Sequence, residues 1–164
     1  MEIIASYLME NNISIASIES FTVGSFASLI GSIPGISKVY RGSMVTYQTE
    51  MKHQLLNISL EDINQHGVVS DVICYQMAKK GKEIFNSDLC VSFTGNSGPM
   101  PMENKPVGLC YIGISYKDIT EVYLLRLNGN KSSGMVIYFR LLISFLRVAL
   151  ASRSRSQKRA VISS

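Results

Sequence analysis

The 164-residue chain is of single-domain length, and with 46% hydrophobic and 17% charged residues it is neither a disordered tail nor a low-complexity linker. Its net charge of +4 is localised: Arg153, Arg155, Lys158 and Arg159 fall in residues 151–164 with no acid, which leaves residues 1–150 neutral and argues against a nucleic-acid-binding surface spread over the fold. Three cysteines without CxxC spacing beside two histidines argue against a zinc site; an N-terminus without a basic region argues against a signal peptide; and Arg140 and Arg147 interrupt the longest apolar run, so no bilayer span is expected and the expected setting is cytoplasmic.

Residues 1–11 predict a short helix with Ile3, Ile4, Tyr7 and Leu8 on one face. Residues 13–18 predict a buried strand. The turn Ser20-Phe21-Thr22-Val23-Gly24 leads into a helix from about Val23 to Ile30, which Gly31 to Gly35 stop. A second strand is expected from Val39 to Tyr47, then two short helices near Glu50–Leu56 and Leu60–Gln65, with Ser59 as N-cap of the latter. The clearest helix runs from Ser70 to Phe85, capped by Ser70, with Val72, Ile73, Tyr75, Met77, Ala78 and Ile84 as its apolar face. A third strand, Leu89–Thr94, ends in a Gly-rich loop. Strands Val107–Tyr116 and Thr120–Leu127 form a hairpin across Lys117-Asp118-Ile119, and Asn128-Gly129-Asn130 turns the chain into a last helix at about Ser132–Ala151. Strands alternating with helices, plus one hairpin, predict a three-layer α/β/α domain with a mixed, mostly parallel sheet. The three cysteines, Cys74, Cys90 and Cys110, lie in apolar stretches and read as buried thiols.

Polar residues at the C-terminal ends of these strands mark where α/β folds place ligands. Ser20 follows the first strand, Tyr47 ends the second with Lys52 five residues on, and Thr94 ends the third. A Ser hydroxyl beside a Lys amine makes a workable nucleophile and base when burial lowers the lysine pKa, and Tyr47 could relay the proton. The turns at 22–24 and 94–98 are expected to offer backbone N–H groups to an oxyanion or a phosphate. The plain structural readings stand beside these: a Ser before a helix serves as its cap, a strand-end Tyr packs, and a Lys in a short helix is solvated. His53 reads as a surface helix residue and His66 as a turn residue before Gly67.

The stretches Ile18-Glu19-Ser20-Phe21-Thr22-Val23-Gly24, Pro34-Gly35-Ile36-Ser37 and Gly42-Ser43-Met44-Val45-Thr46-Tyr47 with Lys52 resemble the start of the CinA C-terminal domain. His66-Gly67-Val68-Val69-Ser70, Thr94-Gly95-Asn96-Ser97-Gly98-Pro99 and Lys105-Pro106-Val107-Gly108 are similar to its later segments, in family order, from about residue 13 to residue 131. The resemblance implies a CinA C-terminal-like domain over 1–150 followed by a basic tail over 151–164. It also implies nicotinamide-nucleotide amidohydrolase activity, a step of the pyridine-nucleotide cycle, with nicotinamide mononucleotide as small-molecule substrate. It further implies a homo-oligomer, and no metal or redox cofactor. By the same resemblance Ser20 is the nucleophile, Lys52 the general base and Tyr47 its companion, while Thr22, Gly24, Thr94, Gly95 and Lys131 contact the substrate.

The sequence departs from the family pattern at several of these positions. Val23 replaces a glycine, and a β-branched side chain is expected to resist positive φ there. Asn96-Ser97-Gly98-Pro99 runs on into Met100-Pro101-Met102, where the family is Gly-rich. The family's arginines near the last helix are here Lys131 and Met135, and lysine lacks the bidentate fork for phosphate. The competing expectation is a CinA-like module that binds a nucleotide or protein partner without turnover. For the last helix and tail, the main expectation is a docked helix with Arg140 and Arg147 outside. The lesser one is weak, salt-sensitive contact with an anionic membrane or nucleic acid.

Overall fold

Five strands form one mixed sheet in the order β2-β1-β3-β4-β5, as seen in a computed structural model that describes residues 2–127. The expectations for the Asn128-Gly129-Asn130 turn, Lys131, Met135, the last helix and the basic tail lie outside the described residues. β1 (Ile15–Glu19) sits centrally between β2 (Tyr40–Val45) and β3 (Leu89–Gly95), parallel to both, with Glu19 opposite Val45 on one side and Phe93 on the other. β4 (Leu109–Tyr116) and β5 (Ile119–Arg126) continue the sheet antiparallel across a two-residue hairpin turn.

Strand alternation divides the apolar residues between two cores, which makes the fold three-layered. Ile15, Leu89, Val91, Phe93, Ile112 and Ile114 face one side, where Ile4 and Leu8 of α1 (Glu2–Glu10) and Phe26 and Ile30 of α2 (Ser25–Gly31) cover them. Ala16, Ile18 and Cys90 face the other, beneath Leu56 of α3 (Thr49–Leu56), Ile63 of α4 (Leu60–His66) and Ile73 and Met77 of α5 (Asp71–Ile84). Every residue of β1 is buried, as expected of a strand covered on both faces. The caps fall where the sequence places them: Ser59 Oγ accepts from Asp62 N at 3.0 Å and Ser70 Oγ from Ile73 N at 3.2 Å. All three thiols are free and buried, and burial pushes the Cys74 thiol up to about 12 and raises that of Cys90.

Several boundaries differ from expectation for local reasons. α2 starts at Ser25 rather than Val23, because Val23 and Gly24 both adopt left-handed backbone, at φ 48° and 84°. The valine therefore takes the conformation that its side chain was expected to resist. β2 ends at Val45, so Tyr47 stands beyond the strand, and β4 begins at Leu109 rather than Val107. Ile3, Tyr75 and Ile84 are exposed; the buried stripes run through Ile4, Ala5 and Leu8 of α1 and through Ile73, Cys74, Met77, Ala78 and Gly81 of α5.

Candidate active site

The C-terminal ends of β1, β2 and β3 lie side by side, and the turn after β1 is fixed by the last residue of that strand. Glu19 is completely buried. Its carboxylate accepts from Phe26 N at 3.1 Å, Ala27 N at 2.9 Å and Ser43 Oγ at 3.1 Å. An internal carboxylate thus already takes the positive end of α2, as helix N-termini favour. The turn between them, Ser20 to Gly24, is closed by Val23 N on Ser20 O at 3.1 Å and Ser25 N on Thr22 O at 3.0 Å, and Ser20 N is tied to Phe93 O at 3.0 Å. Ser20 is thereby tied to β3 and held in a closed turn between β1 and α2.

Lys52, on α3, is fully buried, contrary to the solvated reading of its spacing. Its Nζ donates to Ser20 Oγ at 3.1 Å and to Thr46 O at 2.7 Å. Thr46 N in turn donates to Glu19 O at 2.8 Å, so the β1–β2 ladder, extended by one bond, aims the carbonyl that orients the amine. Burial pulls the Lys52 amine down from the usual lysine value to about 8, with the nearby Glu103 charge acting in the opposite direction. A lysine tuned to this range exchanges protons near neutral pH, which a solvated lysine does not.

Ser20 opens onto a cleft of about 340 Å³. Phe21, the approach to α3 (Tyr47 to Glu50), the α4–α5 junction (Val68, Val69) and the end of β3 with the loop after it (Thr94 to Gly98, and Met102) complete its lining. Tyr47 borders the cleft but is 63% exposed, and no hydrogen bond joins it to Ser20 or Lys52; the relay expected of it is not formed here. Thr22 is buried, and its Oγ1 has no hydrogen-bond partner among the described residues. Gly24 caps α2 in left-handed backbone, and the space where a Cβ would sit is open, so the conformation rather than crowding calls for glycine. Thr94 Oγ1 donates to Val68 O at 2.6 Å, so its proton is committed to the cleft wall, and Gly95 lies at the end of β3 against Cys110.

The two turns offer fewer free N–H groups than their sequence suggests. Val23 N is bound to Ser20 O, Asn96 N to Leu109 O and Gly98 N to Asn96 Oδ1. Of the turn residues that lie outside β3, this leaves Thr22, Gly24 and Ser97 as the candidate anion donors among the described residues. His53 sets its Nδ1 against Ile58 O at 2.8 Å and His66 ends α4; neither lines the cleft. Glu103 escaped the sequence reading altogether, since nothing in its neighbours' spacing announces a role. Among the described residues no cluster of His, Cys, Asp or Glu could hold a metal ion, and no helix is long and apolar enough to cross a membrane.

A model of the CinA C-terminal domain matches residues 1–147. A protein of Listeria innocua named a competence-damage inducible protein is 38% identical over 150 residues, covering 88% of this chain and 36% of that protein. A protein of the same name from Lactiplantibacillus plantarum is 39% identical over 115 residues, covering 70% of this chain and 27% of its own. The chain thus spans about a third of the length of the curated relatives it matches. Among solved structures, a competence-damaged protein (CinA) superfamily protein from Klebsiella pneumoniae 700603 superposes with a TM-score of 0.83 at 21% identity, over 92% of this chain and 94% of that one. The competence/damage inducible protein CihA of Agrobacterium tumefaciens does so with a TM-score of 0.80 at 23% identity, over 89% and 90%. These two likenesses are likenesses of fold.

Proposed function

The chain belongs to the CinA C-terminal domain family, and on that premise we propose that it is an amidohydrolase. It converts nicotinamide mononucleotide and water to nicotinate mononucleotide and ammonia through a Ser20–Lys52 nucleophile–base pair. The observation that carries this reading is the contact of a fully buried lysine amine with the hydroxyl of a serine that lines the cleft, at 3.1 Å. A structural serine–lysine contact does not require the amine to be desolvated; a general base does.

With its amine neutral, Lys52 accepts the Ser20 Oγ proton as Oγ bonds to the carboxamide carbon and the carbonyl π pair moves onto oxygen. N–H groups of the Ser20–Gly24 turn, Thr22 and Gly24 foremost, hold that oxyanion. As the tetrahedral adduct collapses, the C–N bond breaks and Lys52 returns its proton to the leaving nitrogen, which departs as ammonia. The acyl group is then an ester on Ser20. Water attacks it with Lys52 again taking a proton, and Ser20 leaves as the alkoxide, recovers that proton and restores the pair. Thr46 O keeps Nζ in line through both halves. In this reading Lys131 meets the phosphate, Thr94 and Gly95 shape the cleft, Tyr47 borders its mouth, and the protein works as a homo-oligomer.

The ordered Ser20–Lys52 contact supports catalysis over a module that only binds. Rapid quenching of the protein with nicotinamide mononucleotide and peptide mass analysis tests the step directly: a nicotinoyl-nucleotide ester on Ser20 is expected, and its absence during measurable turnover sinks the covalent route.

A further inference from the structure

Glu103 lies outside the Ser20–Lys52 contact yet is joined to the same cleft. It occupies the first central position of a tight turn, Met102 to Lys105, closed by Lys105 N on Met102 O at 2.9 Å and Met102 N on Lys105 O at 3.3 Å. Both central residues, Glu103 and Asn104, are left-handed, at φ 54° and 57°, as in a type I′ hairpin. Glutamate is a costly choice there, since its side chain gains nothing locally from that backbone. The gain is at a distance. Its Oε1 accepts from Val68 N at 2.8 Å and its Oε2 from Val69 N at 3.3 Å. Lys105 Nζ, 3.0 Å from Glu103 Oε2, also donates to His66 O at 3.0 Å.

We propose that Glu103, anchored by Lys105, is a positioning residue: a clip that fixes the Val68–Val69 wall of the cleft and sets the electrostatic field in which Lys52 works. Gly67 leaves the room this requires, because any Cβ there would collide with the Glu103 carboxylate. Val68 is then held at both ends, by Glu103 on its N–H and by Thr94 Oγ1 on its carbonyl. Asn96 Nδ2 donates to Lys105 O at 3.2 Å, which ties the clip to the loop after β3.

The charged groups on β1, α3 and α5 differ in how they are committed. Glu19, at the end of β1, is spent on α2 and Ser43. Asp71, at the start of α5, accepts from Val72 N. On α3 itself, His53 is set against Ile58 O and Glu50 is exposed at the cleft mouth. Glu103 is the charge that favours the protonated amine and opposes its burial. Its own carboxyl feels burial first, which raises it, but the Val68 N–H and Lys105 win and hold it below the usual glutamate value.

The proposal rests on Ser20 and Lys52 being nucleophile and base, and its test is built so that it can fail separately. In Glu103→Gln, NMR titration of the Lys52 amine is expected to move down by about half a pH unit. The acid limb of kcat/KM should move with it, and amide exchange at Val68 and Val69 should quicken roughly tenfold. A merely structural Glu103 lowers Tm and leaves the amine titration where it is; that result overturns the proposal. If Glu103→Gln does not fold, Lys105→Met keeps the carboxylate but removes its anchor, and unchanged protection of Val68 and Val69 in that variant overturns it equally. The titration and exchange measurements need no substrate. A protein that releases no ammonia from nicotinamide mononucleotide therefore defeats the amidase reading and leaves these two results standing.

Discussion

Lys52 Nζ lies 3.1 Å from Ser20 Oγ although the two residues are 32 positions apart, on α3 and in the turn after β1. Because burial draws the amine down to about 8, the neutral base is the minor form at pH 7. The rate kcat/KM is therefore expected to climb roughly tenfold per pH unit below that value and to level above it. A profile flat from pH 6 to pH 9, measured by ammonia release, contradicts a lysine base.

The same burial should be visible in stability. The unfolded lysine titrates near 10.5 and the folded one near 8, so between these values the unfolded chain binds the extra proton. Stability rises with pH across that window, and below it the full cost of the buried charge is present. Lys52→Met removes that cost but leaves Thr46 O without its donor. We expect a net gain of about 1–2 kcal/mol at pH 7, shrinking toward pH 10. Urea unfolding at the two pH values measures it; a variant less stable than the wild type at pH 7 would contradict it.

Val23 carries a β-branched side chain at φ 48° and is 56% exposed, so it bears backbone strain with little burial in return. Val23→Gly should relieve that strain and raise stability by about 0.5–1 kcal/mol, after the entropy that glycine costs. Thermal unfolding reads the change, and a lowered Tm would show that the left-handed turn is not strained by valine.

Thr94→Val leaves the buried Val68 carbonyl without the hydroxyl that reaches it at 2.6 Å, and is expected to cost about 1–2 kcal/mol. Thr94→Ser keeps the donor and should retain most of that stability. Equal stability of the two variants by chemical unfolding would show that this hydrogen bond does not hold the wall.

What the sequence makes legible is local. Ser59 and Ser70 cap their helices, and the apolar run of β1 is buried on both faces, because capping and strand burial depend on neighbours in the chain. The direction of a helix's buried stripe is set by what it packs on, which is why Ile3, Tyr75 and Ile84 turn outward despite their hydrophobicity. Ser20 and Thr94 stand out from their placement at strand ends, Lys52 from its spacing after Tyr47, and all three from family resemblance. The burial that lowers the Lys52 amine is tertiary and has no local signature. Glu103 is less legible still: its carboxylate reaches Val68, 35 positions away, only because two consecutive residues adopt left-handed backbone.

The most direct test of the central claim is ammonia release from nicotinamide mononucleotide by the wild type, Ser20→Ala and Lys52→Met. The account predicts measurable turnover by the wild type and a loss of at least about a thousandfold in each variant, as when a nucleophile or its base is removed. Wild-type release no greater than that of Ser20→Ala would contradict it.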